Sequence, residues 1–252
     1  MIQVIKIGGG VLENEVQRNA FLRQFAAIEG PKVLVHGGGR LATTMADRLG
    51  VETRMIDGRR VTDKDTLDIV TMVYGGLVNK QVVAQLQAMG VNAIGMTGAD
   101  GGWMQSVKRP LKNGIDYGFV GDVVEVNGAH LRMLVENGLM PVIAPITFSA
   151  EGILLNTNAD TVASQTAISL APDVQLTFCF EKAGVLSNPD DESSLVSRIT
   201  PESYIQLKAD GIVSGGMIPK LDNAFAALQK GVQSVRITHS SNILGGTIIE
   251  QI

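Results

Sequence analysis

Two runs of three glycines are the first residues in this sequence that could bind an anion. Gly8–Gly10 follow the aliphatic run Ile2–Ile7, and Gly37–Gly39 follow the aliphatic run Lys32–His36. Glycine lets backbone N–H groups point at an anion, because no side chain stands in the way. One such loop is most simply a turn between a strand and a helix. Two of them at successive strand ends, with a third glycine-rich stretch at Gly98–Gly102, favour a phosphate or carboxylate site.

Two lysines stand where a cation is unusual unless an anion lies beside it. Lys6 is the charged residue near the end of an apolar-dominated run, and a buried lysine rarely lacks a partner. Lys220 stands at the start of a predicted helix, where the helix dipole disfavours a positive charge. A solvated lysine is an equally good interpretation of Lys220 from the pattern alone. The alternative is an anionic ligand beside its ammonium group.

Other kinds of chemistry find less support in the sequence. Gly37–Ala42 fit the loose dinucleotide fingerprint G-x-G-x-x-G/A, with Asp57 about 20 residues further on. That fingerprint normally follows the first strand of its unit, whereas here a glycine loop comes first, so a dehydrogenase is the weakest hypothesis. The sequence has no P-loop, nucleophile elbow or zinc-ligand spacing, and its three histidines lie far apart. For His36, a structural role is at least as good an interpretation as a ligand contact.

A parallel sheet would bring the glycine loops and the lysines together, and the chain has the pattern of one. Of six strand-like runs, most are continuous and lack polar alternation, which is typical of strands that are buried on both faces. These predicted strands are Ile2–Ile7, Lys32–His36, Ala93–Met96, Met140–Ile146, Gln175–Phe180 and Ser234–Thr238.

The stretches between these strands have apolar residues at helical spacing. We predict a helix that is capped by Thr62 and continues to Leu86, with Leu67, Val70, Val73, Leu77, Val78 and Val82 on its apolar stripe. Two more helices are predicted to begin at Asn158 or Asp160, and after Gly216. Residues Trp103–Val126, which contain Pro110 and short alternating runs, predict a β-hairpin instead.

Composition and charge exclude several classes of partner. The 252 residues carry a net charge of −4 without a Lys/Arg-rich run, so we expect no nucleic-acid partner. No apolar run approaches the length of a membrane span. The lone cysteine, Cys179, excludes an internal disulfide and suits a reducing cytoplasm, where we expect it to be a small buried apolar residue.

Seven segments, in this order, give the sequence its resemblance to a known family. They are Lys6-Ile7-Gly8-Gly9, His36-Gly37-Gly38-Gly39, Arg60-Val61-Thr62-Asp63, Val78-Asn79-Lys80, Gly118-Phe119-Val120-Gly121, Asn156-Thr157-Asn158-Ala159-Asp160 and Gly215-Gly216-Met217-Ile218-Pro219-Lys220. The whole chain resembles the amino-acid kinase superfamily, and within it the kinases that act on N-acetylated glutamate in arginine biosynthesis. The resemblance implies an α/β fold, a three-layer αβα sandwich with a mainly parallel, open central sheet. It also implies ATP as the phosphoryl donor, with Mg²⁺ bound to the nucleotide.

The resemblance implies a role for each matching residue. The catalytic residues would be Lys6 and Lys220, which contact the transferring phosphoryl group, and Asp160, which holds both lysines. The residues at the amino-acid substrate would be Gly38, Gly39, Arg60 and Asn156. The residues at the nucleotide would be Gly8, Gly9, Glu181, Gly184, Leu186, Ser214, Gly216 and Met217. No residue is expected to bind a metal ion directly.

The implied reaction agrees with elementary chemistry. A glutamate side chain has a reference pKa near 4.3, so at neutral pH it is already an anionic nucleophile and needs no general base. The obstacle is the approach of one anion to another, which cations and N–H dipoles at the phosphoryl oxygens overcome. Two neighbouring lysines lower each other's pKa, and a carboxylate between them opposes that. A guanidinium such as Arg60 can hold the substrate's α-carboxylate with two parallel hydrogen bonds.

Three residues, in two segments, depart from the family pattern. Phe180 and Glu181 stand where the family usually has a small residue and an aspartate, so the nucleotide segment of this chain differs from the family pattern. Arg59 stands where leucine is common, immediately before Arg60. An added cation at the substrate could favour an acyl group with its own charge, such as N-succinyl, although a surface arginine is the simpler interpretation.

We expect one amino-acid kinase domain over residues 1–252. Within it, residues 1–171 would form an N-lobe for the amino-acid substrate and the dimer contact, and residues 172–252 a C-lobe for the nucleotide. We expect a cytoplasmic homodimer that arginine does not inhibit, because the family's arginine-inhibited hexamers carry an extra helix before the first strand. The competing hypotheses are a kinase of a protected aminoadipate and an inactive small-molecule binder of the same fold.

Overall fold

The computed structural model describes residues 1–56, 58–188, 190–215 and 217–251, apart from the side chain of Pro219. Within these residues, an eight-stranded sheet lies between two layers of helices. This is the predicted α/β sandwich with a mainly parallel central sheet.

The strands are β1 Ile2–Ile7, β2 Lys32–His36, β3 Met55–Ile56, β4 Arg59–Arg60, β5 Ala93–Met96, β6 Met104–Lys108, β7 Gly121–Val126, β8 Met140–Ile143, β9 Ile146–Phe148, β10 Leu154–Asn156, β11 Val174–Phe180, β12 Arg198–Ile199, β13 Ser234–His239 and β14 Thr247–Ile249. The α-helices are α1 Gly9–Glu13, α2 Glu15–Ala27, α3 Gly39–Arg48, α4 Lys64–Val70, α5 Asn79–Ala88, α6 Gly128–Glu136, α7 Ala159–Leu170, α8 Pro201–Ala209 and α9 Met217–Gln229. A π-helix, Thr71–Val78, joins α4 to α5, and short 3₁₀ turns cover Asp100–Gly102 and Glu192–Ser194.

The central sheet has the strand order β12-β14-β13-β11-β1-β2-β8-β5. Its neighbouring strands are parallel, except that β13 and β14 are antiparallel. Strand β1 is flanked by β11 and β2, and its last residue, Ile7, pairs with Cys179 on one side and His36 on the other. The carboxyl ends of these three strands therefore meet at one edge of the sheet.

Alternate residues of β1 pack into different layers. Ile5 and Ile7 belong to a core that includes Phe21, Leu22 and Phe25 of α2. Their neighbours Ile2 and Val4 belong to the other core, with α7, α8 and α9. Lys6 has the same parity as Ile2 and Val4, so its side chain leaves the sheet on the α7 side.

The connections from β1 and β11 run along opposite faces of the sheet. The chain goes from β1 to β2 through α2 in one layer, and from β11 to β13 through α8 and α9 in the other. Where neighbouring parallel strands connect to opposite faces, a crevice opens beyond their carboxyl ends. The fold therefore places a crevice beside Gly8 and Glu181.

The predicted hairpin is formed by β6 and β7, which pair antiparallel in a smaller sheet of order β10-β9-β6-β7. The segment after its turn passes between two other parts of the chain: Phe119 N donates to Thr62 O at 2.6 Å, and Asn156 N donates to Phe119 O at 2.9 Å. Gly118 has φ +72°, and a Cβ there would collide with the Thr62 carbonyl. Glycine at 118 is thus required for this close approach.

Three local predictions were wrong. The run Met140–Ile146 is two strands, because the chain turns at Ala144 and Pro145, and proline cannot donate to a ladder. The cap of the helix after position 62 is Asp63, whose side chain accepts from Thr66 N at 2.8 Å, while Thr62 is fully buried.

The third error lies in the same helical region. The single helix predicted to continue to Leu86 contains the π-helix, whose wider turn rotates the apolar stripe. Leu77, which helical spacing placed in the core, is 39% exposed, whereas Tyr74 is buried.

Candidate active site

The two triple-glycine loops touch each other at the carboxyl edge of the sheet. Gly8 is the N-cap of α1 and Gly38 is the N-cap of α3, directly after the neighbouring strands β1 and β2. A Cβ on Gly9 would lie 3.1 Å from Gly38 N, and a Cβ on Gly38 would lie 2.9 Å from the Tyr74 ring. Larger residues would therefore force the two loops apart. The first N–H groups of a helix such as α3 have no intrahelical partner and are suited to an anion.

The two lysines predicted to act together meet at this edge. Lys6 Nζ lies 5.7 Å from the centroid of the Phe180 ring, and Lys220 Nζ lies 3.8 Å from the same centroid. One ring, at the end of β11, therefore contacts ammonium groups from two distant segments of the chain. The alternative interpretation of Lys220 as a solvated surface lysine is wrong, because its side chain is partly buried against this ring.

Asp160 holds Lys6 by an ion pair of 2.8 Å between Oδ1 and Nζ. The sequence left two residues as possible caps of this helix, and the structure shows that Asn158 is the cap. The Asn158 side chain accepts from the N–H groups of Asp160 at 2.9 Å and Thr161 at 3.1 Å. Because Asn158 caps the helix, the Asp160 carboxylate is available to Lys6, and the first turn of a helix also stabilises its negative charge.

The charges around Lys220 oppose one another. Burial lowers the pKa of Lys220 below its ordinary value of 10.5, and the neighbouring charge of Lys6 adds to this. The carboxylates of Asp160 and Glu181 act in the other direction and favour the protonated amine. This is the arrangement that two neighbouring ammonium groups require if both are to stay charged.

A cavity of about 520 Å³ opens beside Lys220. Its lining residues include Gly8, Gly9, Gly10, Gly39, Arg40, Phe180, Glu181, Lys182, Gly184, Met217 and Lys220. We name it the large cavity. Five residues predicted at the nucleotide line it: Gly8, Gly9, Glu181, Gly184 and Met217.

The remaining residues predicted at the nucleotide are placed differently. Leu186 is buried beneath the surface, and Ser214 is exposed, and neither lines the large cavity. Gly216 lies outside the described residues, as does Asp57 of the dinucleotide hypothesis.

A second cavity, of about 210 Å³, adjoins the first at Gly39, which lines both. We name it the small cavity. Its lining includes Gly38, Arg59, Arg60, Tyr74, Val120, Asn156, Thr157 and Asn158. All four residues predicted at the amino-acid substrate, Gly38, Gly39, Arg60 and Asn156, therefore lie together around it.

Arg60 is held rigidly at the small cavity. Its Nη2 donates to Gly39 O at 2.7 Å and to Thr43 Oγ1 at 2.8 Å, and its Nη1 donates to Thr53 Oγ1 at 3.2 Å. The side chain is buried, yet its guanidinium lines the cavity. Because both Nη2 hydrogens bond to protein, a carboxylate ligand would use the other donors of the group.

Asn156 is connected to Arg60 through a buried threonine. Its Nδ2 donates to Thr62 Oγ1 at 3.0 Å, and Thr62 Oγ1 donates to the Arg60 carbonyl at 3.1 Å. These hydrogen bonds link β10, which carries Asn156, to β4, which carries Arg60. The side-chain carbonyl of Asn156 stays available to accept a hydrogen bond from an amide N–H.

Sequence reasoning missed Tyr74 at this site. Its ring packs on Gly38, and its hydroxyl lies near Gly39 and the Arg60 guanidinium. Burial raises the pKa of the Tyr74 hydroxyl, and the charge of Arg60 acts against this. The helical spacing of its neighbours concealed Tyr74, because the π-helix turns it inward.

His36 supports the second glycine loop and does not face either cavity. It is completely buried, its Nε2 accepts from Asn79 Nδ2 at 3.1 Å, and its Nδ1 lies 2.8 Å from Gly37 O, to which it can donate. Burial lowers the pKa of His36 to about 4. Cys179 is likewise buried, as predicted, and burial raises the pKa of its thiol to about 12. His36 is therefore structural, whereas Cys179 is buried at the wall of the large cavity.

The comparisons with known proteins agree with this geometry. A model described as the amino acid kinase family matches residues 1–239. A protein of Phocaeicola vulgatus named acetylglutamate kinase is 54% identical over 254 residues, covering 99% of this chain and 98% of that protein. An acetylglutamate kinase of Bacteroides thetaiotaomicron is 54% identical, covering 96% of this chain and 95% of its own.

A solved structure has a similar fold over nearly the whole chain. The crystal structure of smu.665 from Streptococcus mutans superposes with a TM-score of 0.80 at 30% identity, covering 99% of this chain and 98% of that one. Within the described residues, no helix is both long and apolar enough to cross a membrane.

Proposed function

This chain belongs to the amino acid kinase family, and from that premise we propose that it transfers the γ-phosphoryl group of ATP to the side-chain carboxylate of N-acetyl-L-glutamate. The product is an acyl phosphate, formed in a step of arginine biosynthesis. Relatives that share half of its residues over nearly its whole length carry the name acetylglutamate kinase. The observation that carries the proposal is the meeting of Lys6 and Lys220 at the ring of Phe180, which lines the large cavity together with Lys220, while the small cavity adjoins the large one at Gly39.

In this proposal, the large cavity takes ATP and the small cavity takes the amino acid. Arg40, Lys182 and Lys220 line the large cavity together with one carboxylate, Glu181, and this surplus of cations suits a triphosphate. Gly8, Gly9, Gly184 and Met217 contact the nucleotide from its walls. Leu186, Ser214 and Gly216 stay predictions from the resemblance. The lining of the small cavity lies within the N-lobe of residues 1–171, whereas the N-lobe and the C-lobe of residues 172–252 both line the large cavity.

Mg²⁺ enters this site with the nucleotide. A free divalent cation is disfavoured beside Arg40, Lys182 and Lys220, whereas a Mg²⁺ ion already bound to triphosphate brings anionic ligands of its own. Glu181, the carboxylate residue that lines the large cavity, carries the type of oxygen ligand that Mg²⁺ prefers. The ion supplies further positive charge at the phosphate oxygens.

The amino acid is held by groups that match its two ends. Arg60 binds the α-carboxylate, and Asn156 accepts a hydrogen bond from the amide N–H of the acylated amine. The side-chain carboxylate then points past Gly38 and Gly39 towards the large cavity. Backbone N–H groups of Gly9, Gly38 and Gly39 and the ammonium groups of Lys6 and Lys220 neutralise the charge that accumulates on the phosphoryl oxygens. Asp160 keeps Lys6 in place.

Hydroxylamine trapping tests the reaction type and the substrate together. Hydroxylamine converts an acyl phosphate to a hydroxamate, so the assay would be run with ATP and a panel of N-acetylglutamate, N-acetylaspartate, N-acetyl-aminoadipate and free glutamate. We expect ATP-dependent hydroxamate with N-acetylglutamate and much less with the shorter or longer acids. No hydroxamate with any acid would contradict the kinase and leave an inactive small-molecule binder, and preference for the aminoadipate would change the substrate.

A second acyl group is favoured by one specific observation. Arg59 is exposed and lines the small cavity beside Arg60, so a negatively charged acyl group such as N-succinyl would meet a cation there. The test compares kcat/KM for N-acetyl- and N-succinylglutamate in the wild type and in Arg59→Leu. A preference for acetyl that does not change in Arg59→Leu disposes of this alternative.

We further propose that the protein is a cytoplasmic homodimer that arginine does not inhibit. The lone cysteine and the family resemblance support this proposal. Sedimentation should give a dimer, and kinase activity should be constant in millimolar arginine. A hexamer, or inhibition by arginine, would overturn it.

A further inference from the structure

Phe180 lies beside the two lysines of the site, although the proposed phosphoryl transfer from ATP to a carboxylate does not itself require an aromatic ring there. It is the last residue of β11, it lines the large cavity, and it pairs with His239 of β13. Its ring is 3.8 Å from Lys220 Nζ and 5.7 Å from Lys6 Nζ, measured to the centroid. Both distances are within the range in which an aromatic face attracts a cation.

We propose that Phe180 is a positioning residue for both catalytic lysines. The face of its ring holds the Lys220 ammonium in place before ATP binds, and it holds the Lys6 ammonium more weakly. This inference rests on the proposed function for its catalytic consequence. The contact itself is a property of the protein without nucleotide and can be tested separately.

The ring is fixed well enough to serve as a platform. Phe180 stacks on Phe178 with centroids 6.0 Å apart and an angle of 19° between the planes. Phe178 is buried, and β11 lies between β1 and β13 in the middle of the central sheet. A ring at the end of such a strand has little freedom to move, so a cation held on it is also held in place.

An aromatic ring solves a problem that a carboxylate would not. Lys220 comes from a helix start and loses part of its hydration by burial, so it needs a partner. A carboxylate that contacted it would neutralise its charge and repel the phosphates of ATP. The ring attracts the cation through its quadrupole and carries no net charge. The full charge of Lys220 therefore remains for the phosphoryl oxygens.

The other charged groups around Lys220 are few and come from separate elements. Lys6 faces it from β1, Asp160 from α7, and Glu181 from the loop after β11, and Arg40 and Lys182 line the same cavity. Asp160 is already bonded to Lys6, and Glu181 is exposed and lies 3.6 Å from Arg40. Among the described residues, Phe180 is thus an uncharged group in direct contact with the Lys220 ammonium.

Fluorination of the ring separates this role from simple packing. Fluorine withdraws electrons from the ring face and weakens cation binding, while the size and shape of the ring change little. We would introduce mono-, di- and trifluorophenylalanine at position 180 by nonsense suppression, together with Phe180→Leu, and measure kcat with N-acetylglutamate. The matched control is the same series at Phe178, which contacts Phe180 and is not in cation contact with either lysine in the described structure.

We expect kcat to fall stepwise along the fluorinated series at position 180, by about two- to thirtyfold in total, the range for a cation on an aromatic face. The KM for N-acetylglutamate should stay constant, because the small cavity does not include Phe180. Phe180→Tyr should retain more activity than Phe180→Leu. A kcat that is constant through the series at position 180, or that falls equally in the series at 178, overturns the proposal.

A measurement without substrate keeps the contact testable even if the enzyme does not make an acyl phosphate. Lysines would be dimethylated with ¹³C-formaldehyde, and the Lys220 methyl signal assigned by its loss in Lys220→Arg. A methyl group over a ring is shifted upfield, so we expect an upfield signal that moves to the ordinary position in Phe180→Leu. An ordinary position in the wild type overturns the platform. An upfield signal in a protein that forms no hydroxamate contradicts the proposed function instead.

Discussion

Three cations near the two cavities, Lys6, Lys220 and Arg60, each have a different supporting contact, and this decides what the removal of each should do. Lys6 is held by Asp160 at 2.8 Å, Lys220 lies on the Phe180 ring, and Arg60 is bonded to Gly39 and Thr43. In the proposed function, the lysines contact the transferring phosphoryl group, and Arg60, which lines the small cavity, binds the amino acid. Loss of a lysine should therefore affect the chemical step, and loss of Arg60 should affect binding.

Replacing either lysine by alanine should lower kcat by about 10²–10³, the usual effect of losing one preorganised electrostatic contact in a transition state. The measurement is the rate of hydroxamate formation at saturating substrates, for Lys6→Ala and Lys220→Ala. Lys230→Ala, which follows the opposite end of α9 and lies outside the large cavity, is the control and should keep full activity. Full activity in Lys220→Ala would show that its assigned role is wrong.

Arg60→Ala should chiefly raise the KM for N-acetylglutamate, by about ten- to a hundredfold, because a charge-assisted hydrogen bond is lost from the ground state and the transition state alike. The KM for ATP should change little, since Arg60 does not line the large cavity. Steady-state kinetics with each substrate varied in turn make this measurement. A raised KM for ATP with an unchanged KM for the amino acid would exchange the assignments of the two cavities.

The pH dependence of kcat should depend on Asp160. The active form of Lys220 is protonated, so activity is complete below its pKa and is lost as pH rises through it. Burial already lowers that pKa below 10.5, and Asp160 opposes the shift. In Asp160→Asn, the alkaline decline of kcat should therefore move to lower pH. A decline that moves to higher pH in this variant would contradict the electrostatic account.

At the scale of secondary-structure elements, the start of α7 connects stability to catalysis. The Asn158 side chain accepts two N–H groups of the first turn, and the same turn carries Asp160. Asn158→Ala should lower the free energy of unfolding by about 1 kcal/mol, and kcat should fall because Asp160 is held less firmly. Urea unfolding and hydroxamate kinetics measure the two effects.

The control for this prediction is the cap of α8, where Thr200 accepts from Ser203 N. Thr200→Ala should lose a similar free energy of unfolding and keep its kcat, because α8 contributes no residue to either cavity. Equal losses of kcat in both cap variants would mean that the effect at Asn158 is only one of stability.

Most elements could be predicted from the sequence because their signals are local. The strand ends that carry the glycine loops follow from aliphatic runs broken by glycine, and five of the six predicted strands lie within a residue of their observed bounds. The π-helix of Thr71–Val78 has no such local signal, and it misplaced Leu77 and concealed Tyr74. The split at Pro145 was readable in principle, since proline cannot donate to a sheet, but the apolar run around it outweighed that single residue.

At the scale of the whole molecule, the site exists because one sheet joins distant parts of the chain. In the central sheet, the strands from residues 1–171 lie on one side and those from residues 172–252 on the other. The two groups meet where β1 pairs with β11. The sequence could indicate that Lys6 and Lys220 need an anion, and the resemblance could pair them. It could not indicate that Phe180 lies against both, because this contact depends on the stagger of β1, β11 and α9.

The buried histidine makes the stability of the whole fold depend on pH. His36 stays neutral in the folded protein down to about pH 4, whereas its ordinary pKa is 6.5, so the unfolded chain takes up a proton first as pH falls. The contribution of His36 to the free energy of unfolding should therefore be fully present above pH 6.5. As pH falls from 6.5 to about 4, the free energy of unfolding should decrease by up to about 3 kcal/mol because of this residue. His36→Asn should remove this part of the pH dependence.

Urea unfolding at several pH values measures the effect, with His130→Asn as the control because His130 is exposed. The control should keep the pH dependence of the wild type. A His36→Asn protein that still loses the same free energy between pH 6.5 and 4 would show that other groups cause the loss.

The most direct test of the account is a crystal structure with ADP, aluminium fluoride, Mg²⁺ and N-acetyl-L-glutamate. The fluoride complex imitates the phosphoryl group in the transition state of its transfer from the leaving oxygen of ADP to the substrate carboxylate. We predict that it lies at the junction of the two cavities, with Lys6 Nζ and Lys220 Nζ within hydrogen-bonding distance and the glycine loops around it. A fluoride complex bound away from these ammonium groups, or an amino acid bound away from Arg60, would contradict the account.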